Sequence, residues 1–392
     1  MKGGTKLIVA SNSVASMGWG ICWTYLNLRL RDIGANYLQL CLMDSLAAIA
    51  YLLSRFWGAL SDYYGVRKNF MLVGFLASAT PLLVMAIFNY LIWALILAYF
   101  ACCFFWAMAY PSFLAALTSD PEREKATTAF ALAGTTGWAL GAFSMGFLEL
   151  MLGPARLFVF CYLVFVVFTS MLAFYEEERL PRKPGTAWSY VKGTFTLRFR
   201  ARKGFGLLLV GVFLGWLGLQ WSSPLARIRM YDLLGHSKTV VGVVWGLSSI
   251  SSAIALLLAE RAVEKLGGLK TYAIATACYS ILMPSFALIL DPVLYAVLWT
   301  VPVWPFFNLG YTLSPAEFSS EDVRGEAVGA CEVAKNLGVL SGMLGGLVAD
   351  MVGRETSMLL SAFPLGLGTI PLLFCMRVSN SEEAIPEEVR ST

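Results

Sequence analysis

The chain has 392 residues, of which 58% are hydrophobic and only 14% charged, with a mean hydropathy of +0.68. A soluble domain needs roughly 25% charged residues to wet its surface, so this composition excludes one and calls for an exterior that faces hydrocarbon. The net charge of +4 arises from 29 Lys and Arg against 25 Asp and Glu. A positive-inside distribution accounts for it without nucleic acid.

A helix needs about 20 apolar residues to cross a hydrocarbon core about 30 Å thick. In chain order the sequence offers about twelve such runs: 7–28, 36–57, 70–88, 91–117, 124–150, 155–174, 205–226, 237–259, 270–290, 293–313, 325–350 and 355–376. Each is expected to be helical, because an isolated strand would leave backbone polar groups unpaired in lipid. The first run has no small-residue cleavage pattern and is expected to stay as a helix. With both termini on the inner side, inner Lys and Arg outnumber outer ones about three to one, which follows the positive-inside rule. The expected location is therefore a cell membrane, crossed many times, with both termini cytoplasmic.

The 8 cysteines all fall inside apolar runs with no C-x-x-C pattern, and His236 is the single histidine. This argues against disulfides and against zinc or haem, and no cofactor is expected. The polar, basic stretch 175–204 divides the chain, and 379–392 reads as an acidic, disordered tail.

The chain also repeats itself. TSDPEREKATTAFALAGTTGWALG from Thr118 echoes SSEDVRGEAVGACEVAKNLGVLSG from Ser319. LRLRDIG from Leu28 echoes RIRMYDLLG from Arg227, and GALSDYYGVRK from Gly58 echoes ERAVEKLGGLK from Glu260. Three echoes in one order at nearly one offset describe a unit built twice. The expected organisation is a six-helix bundle over 1–174, a linker over 175–204, a second six-helix bundle over 205–378 and the tail.

GALSDYYGVRK also resembles the loop signature of the major facilitator superfamily, through Gly58, Asp62, Gly65, Arg67 and Lys68. Tyr63 stands where that family usually has Arg or Lys, and the second copy keeps only Glu264, Gly267 and Lys270. The resemblance implies an all-α membrane protein of twelve helices in two pseudo-symmetric six-helix bundles. It further implies a transporter that rocks about a site near the bilayer midplane, with Asp62 and Arg67 latching its inner side. Two family features of proton-driven drug exporters are missing: an arginine in the fourth span, and a Gly-Pro pair in the fifth.

The spans that would line such a cavity carry polar and aromatic stripes at helical spacing. These are Asn12, Ser16, Trp19 and Trp23 in the first, Tyr99, Trp106 and Tyr110 in the fourth, Trp216 and Gln220 in the seventh, and Trp304, Asn308 and Tyr311 in the tenth. Helix packing or interfacial belts could use the same residue types, but belts gather at helix ends, and Trp19, Trp106 and Trp216 fall near mid-span. Indole and phenol rings with few fixed charges suit a neutral, amphipathic or cationic organic solute.

Asp44, Glu332 and Lys335 lie deep within spans, where an ionisable residue is costly and usually functional. Glu332 and Lys335 are three apart and can pair. Asp44 and Lys335 fall at similar depth and are expected to meet across a seam, or Asp44 or Glu332 to carry a coupling proton. The glycine rows Gly134, Gly137, Gly141 and Gly338, Gly342, Gly345, Gly346 read as close-packing faces.

The expected function is alternating-access transport of a small organic solute, by a monomer with no partner beyond solute and bilayer. A solute-binding sensor without flux and a proton-driven drug exporter are the alternatives. Enzyme chemistry is not expected, because no serine or cysteine has a histidine partner.

Overall fold

The structure is a computed structural model that describes residues 3–118, 120–177, 182–195, 203–319 and 324–383. Every regular element among these residues is a helix. In chain order come α1 (Gly3–Asp32), α2 (Tyr37–Leu52), α3 (Ser54–Tyr64), α4 (Arg67–Ala79), α5 (Pro81–Ile87) and α6 (Ile92–Thr118). There follow α7 (Arg123–Ala173), α8 (Ala187–Phe195), α9 (Phe205–Leu233), α10 (Lys238–Leu266) and α11 (Gly268–Ser285). The last are α12 (Pro292–Trp299), α13 (Trp304–Leu313), α14 (Arg324–Ser341), α15 (Met343–Val352), α16 (Arg354–Leu360) and α17 (Ala362–Glu383). Part of the expected linker, and residues 384–392 of the expected tail, lie outside the described residues; α17 itself runs on to Glu383.

Among the described residues, 8 helical segments are long and apolar enough to cross a membrane by length and composition. The difference from twelve has identifiable causes. One segment, Lys125–Ala173, joins two expected spans across Gly153, whose φ of 75° and ψ of 170° break the helix in front of Pro154. The other three are α1, α11 and the α14–α15 pair, which carry the polar stripe, several hydroxyls and the Glu332–Lys335 pair respectively. Helices of that composition belong against protein or water rather than lipid.

The sequence repeat is visible in the turns. Glycines at positive φ recur as Gly34 and Gly235, Gly65 and Gly267, Gly153 and Gly353, at the offset of the sequence echoes. Only glycine takes such backbone freely, so both halves turn at matching places.

Contacts divide the chain into two compact units: residues 1–196, 227–251 and 291–300 form one, and residues 197–226, 252–290 and 301–392 the other. They cut the chain at points other than the repeat boundaries, and α9 and α10 contribute to both.

In the first unit α1 runs along α7 with almost no space between backbones. A Cβ on Gly20 would come within 2.6 Å of the Trp138 carbonyl, and one on Gly137 would strike the Ser13 carbonyl. In lipid, where apolar burial supplies little attraction, such close backbone approach supplies it through packing. Phe75, Phe113, Phe165 and Phe168 fill the core beside this seam. The second unit uses the same device. A Cβ on Gly338 would meet the Phe213 carbonyl at 2.5 Å, and one on Gly342 would meet Gln220 at 2.6 Å, so α14 and α9 are pressed together.

Candidate functional site

Asp44 sits about two turns into α2, whose start is set by a capping box between Asn36 and Gln39. The Gln39 N–H donates to Asn36 Oδ1 at 2.8 Å and the Asn36 N–H to Gln39 Oε1 at 3.0 Å. Asp44 accepts from Trp23 Nε1 at 3.0 Å on one oxygen and is ion-paired with Arg227 of α9 through the other. The Arg227 guanidinium lies over the Trp23 ring, 4.3 Å from its centroid. The Trp23 ring also meets Trp138 at 5.5 Å and Trp245 at 5.3 Å. Side-chain exposure is 9% for Asp44 and 4% for Arg227, so indoles enclose the pair and water barely reaches it. Sequence reasoning singled out Asp44 but not its partner. Arg227 was visible only as the first residue of the RIRMYDLLG echo.

A second charge cluster lies at the ends of α1 and α9, near the Gly153 break in α7, and at the start of α10. Arg31 pairs with Asp232 at 3.2 Å, and Tyr231 donates to Asp32 at 2.8 Å. Lys238 bridges Asp32 at 2.8 Å and Glu149 at 3.0 Å. Arg29 donates to Asn89 nearby. The two arginine-rich echoes thus pair with one another, a connection that sequence similarity alone did not suggest.

In the second unit, Trp216 of α9 meets Trp304, Phe307 and Tyr311 of α13 at 5.7, 5.2 and 5.7 Å. The Lys335 ammonium of α14 sits 5.2 Å from the Trp216 centroid and 5.5 Å from that of Tyr311. Glu332 accepts from Lys335 at 3.0 Å and from the Tyr311 hydroxyl at 2.8 Å. The pairing of Glu332 with Lys335 follows the sequence expectation; Asp44 takes Arg227. Two donors of α9, Trp216 Nε1 and Gln220 Nε2, are buried without a hydrogen-bond partner.

The remaining stripe residues are placed as follows. Asn12 donates to the Phe130 carbonyl of α7 at 2.9 Å, and Asn12 and Ser16 both face Gly134. Trp19 packs edge-on against Tyr99 at 6.1 Å and Trp106 at 5.4 Å, while Tyr110 stacks on Trp106 at 6.1 Å. Asn308 is exposed. The first-unit stripe is therefore largely engaged by its own neighbours, whereas the second-unit stripe surrounds a charge.

The signature loop folds as a tight turn. Gly65 ends α3 in the left-handed conformation, Asp62 receives Arg67 at 2.9 Å, and Lys68 donates to the Ala173 carbonyl at 2.7 Å. Gly58 faces Pro111 closely, where a Cβ would lie 3.1 Å from that ring. Tyr63, the departure from the family pattern, is 2% exposed. Its hydroxyl donates to the Gly185 carbonyl at 2.7 Å and accepts from Arg182 at 2.9 Å.

Among the described residues, apolar helices with repeated turns and deep charges mark a multi-pass membrane protein. The sequence matches the profile of the Major Facilitator Superfamily over residues 8–343, and the chain belongs to that family. It is accordingly a transporter and not an enzyme. Its fold is similar to that of a point mutant of the nucleoside transporter NupG, with a TM-score of 0.81, 15% identity, and 95% of this chain and 99% of that chain covered. It is also similar to a POT family transporter in complex with 5-aminolevulinic acid, with a TM-score of 0.78, 9% identity, and 96% of both chains covered. At these identities the likeness is one of fold. No curated protein matches the sequence.

Proposed function

We propose that the chain carries a small neutral, amphipathic or cationic organic solute across a cell membrane by alternating access, as a monomer with both termini cytoplasmic. The Asp44–Arg227 pair carries this reading. It joins the first half of the sequence repeat to the second, and it is nearly dry. A permanent strut gains little from such a pair, since well-packed apolar residues of equal volume are often as stable or more so. A contact that opens and closes does gain, because each charge recovers its hydration when the two part. The Arg31–Asp232 and Lys238 pairs close the same end of the helices, which the charge bias assigns to the outside. At the other end, Asp62 and Arg67 form the inner latch on the turn held by Gly58, Gly65 and Lys68.

Solute contacts are assigned to the aromatic and amide side chains of the stripes, with the second-unit set around Trp216 as principal contributor. Of the deep carboxylates, Asp44 is the one whose neutralisation deprives a buried cation of its partner, so a coupling proton acts there. Glu332 is the alternative proton carrier.

Reconstitution into liposomes tests this reading. Saturable solute flux that responds to an imposed pH gradient, and loses that response in Asp44→Asn, is the expected result. Binding without flux would make the chain a sensor. Flux and pH response both unchanged in Asp44→Asn would remove the coupling role.

A further inference from the structure

The box around Lys335 already contains a cation, and that cation belongs to the protein. Trp216 and Tyr311 both present their rings to the Lys335 ammonium within 5.5 Å, inside the range over which a ring attracts a cation. Glu332 supplies the carboxylate at 3.0 Å and is itself oriented by the Tyr311 hydroxyl. Two aromatic faces with one anchored carboxylate form a receptor for an ammonium group.

The tenant is not locked in. The Lys335 side chain is 27% exposed and Glu332 43% exposed, and a lysine is a compact charge on a flexible four-carbon stem. Trp216, by contrast, is 8% exposed and packed on three sides by Trp304, Phe307 and Tyr311. The ring walls are buried, whereas the occupant reaches solvent. Trp216 Nε1, on the same ring, and Gln220 Nε2, one turn further along α9, are buried donors with no protein acceptor, and a buried donor left unpaired is destabilising. A ligand oxygen would satisfy one of them.

We infer that Trp216, Tyr311 and Glu332 form a binding site for an organic ammonium compound bearing a hydroxyl or carbonyl oxygen, and that Lys335 is its tethered competitor. The ligand's cation displaces the Lys335 ammonium from the rings and Glu332, and its oxygen accepts from Trp216 or Gln220. Lys335 thereby sets the affinity: strong enough to hold an ammonium, weak enough to release it. This rests on the transport reading, since it names the solute class for the second-unit contacts assigned above.

The test uses the full-length protein in nanodiscs and calorimetric titration with choline, against 3,3-dimethyl-1-butanol as its uncharged isostere. Lys335→Gln removes the competitor and should tighten choline binding by roughly 2- to 30-fold, the span of a cation–π interaction. It should leave binding of the isostere unchanged. Lys335→Arg retains a tethered cation and should bind choline as weakly as the wild type. Glu332→Gln should weaken choline binding about tenfold, because the quaternary ammonium loses its nearby counter-charge.

Choline affinity unchanged or lowered in Lys335→Gln overturns the inference, as does equal tightening in Lys335→Arg, or no choline binding in either protein. Tight choline binding to Lys335→Gln with no flux of any solute would leave the cage intact and sink the transport reading. Saturable solute flux together with absent choline binding would do the reverse.

Discussion

Asp44→Asn is the most informative single change, because it removes a charge while preserving shape. An asparagine can still accept from Trp23 Nε1, and the Trp23 ring still faces the Arg227 guanidinium, so neither contact enters the difference. What changes is that Arg227, with a side chain 4% exposed, loses its counter-charge where solvent does not screen it. Breaking a buried pair in this way costs about 3–5 kcal/mol. At about 1.4 kcal/mol per tenfold, the arrangement seen here becomes disfavoured by two to three and a half powers of ten.

Arg227→Met should be similarly harmful, toward the lower end, because Trp23 still donates to Asp44. The double variant Asp44→Asn/Arg227→Met should approach wild-type stability, since no charge is then left alone. Unfolding followed by tryptophan fluorescence in mixed micelles measures all four proteins. The predicted coupling is at least about 3 kcal/mol, well beyond the few tenths expected of independent sites. Additive single effects, within about 0.5 kcal/mol, would show that the two residues do not act as a pair and would refute the reasoning.

Three further outcomes are expected. Lys238→Ala leaves Asp32 and Glu149 facing each other without a shared cation; half-buried charges of this kind should lose about 1–2 kcal/mol, and accessibility labelling at that end should rise. Tyr63→Phe removes the hydroxyl that joins Arg182 to Gly185; tryptic cutting after Arg182 should then quicken about tenfold, in line with about 0.5–1.5 kcal/mol per hydrogen bond, and an unchanged cutting rate would show that this tyrosine does not hold the linker. Gly137→Ala drives a methyl group into the Ser13 carbonyl and should lose about 1–3 kcal/mol by overpacking, whereas Gly3→Ala, with nothing within 4 Å, should be neutral in the same unfolding assay.

The fold was largely readable because its strongest determinants are local or periodic. Long apolar runs dictate helices, and the echoes at Gly58 and Glu260 gave the duplication away. The positive-φ glycines then recur at the same offset, at Gly65 and Gly267 among others. What stayed hidden was non-local pairing. Asp44 was conspicuous as a carboxylate in an apolar run, yet nothing in its neighbourhood names Arg227, 183 positions away. Arg227 itself reads as an ordinary charge near a helix end. Glu332 and Lys335 were legible as a pair because one helical turn brings them together. Their docking on Trp216 and Tyr311 was not, since it depends on α9 and α13 converging on α14. Likewise the stripe in the first span reads as polar and aromatic, but periodicity gives a face and not what that face touches. Asn12 and Ser16 prove to face α7 at Gly134.

The central claim is that the helix end closed by Arg31–Asp232 and Lys238 opens and closes as part of transport. Spin labels at Asn36 and His236, both exposed beside that cluster, in a Cys278→Ser background that removes the exposed cysteine, measure the opening directly by pulsed distance spectroscopy. The account predicts two distance populations whose ratio shifts when transported solute is added and shifts again in Asp44→Asn. A single distance distribution, unmoved by solute, pH or that substitution, would contradict it.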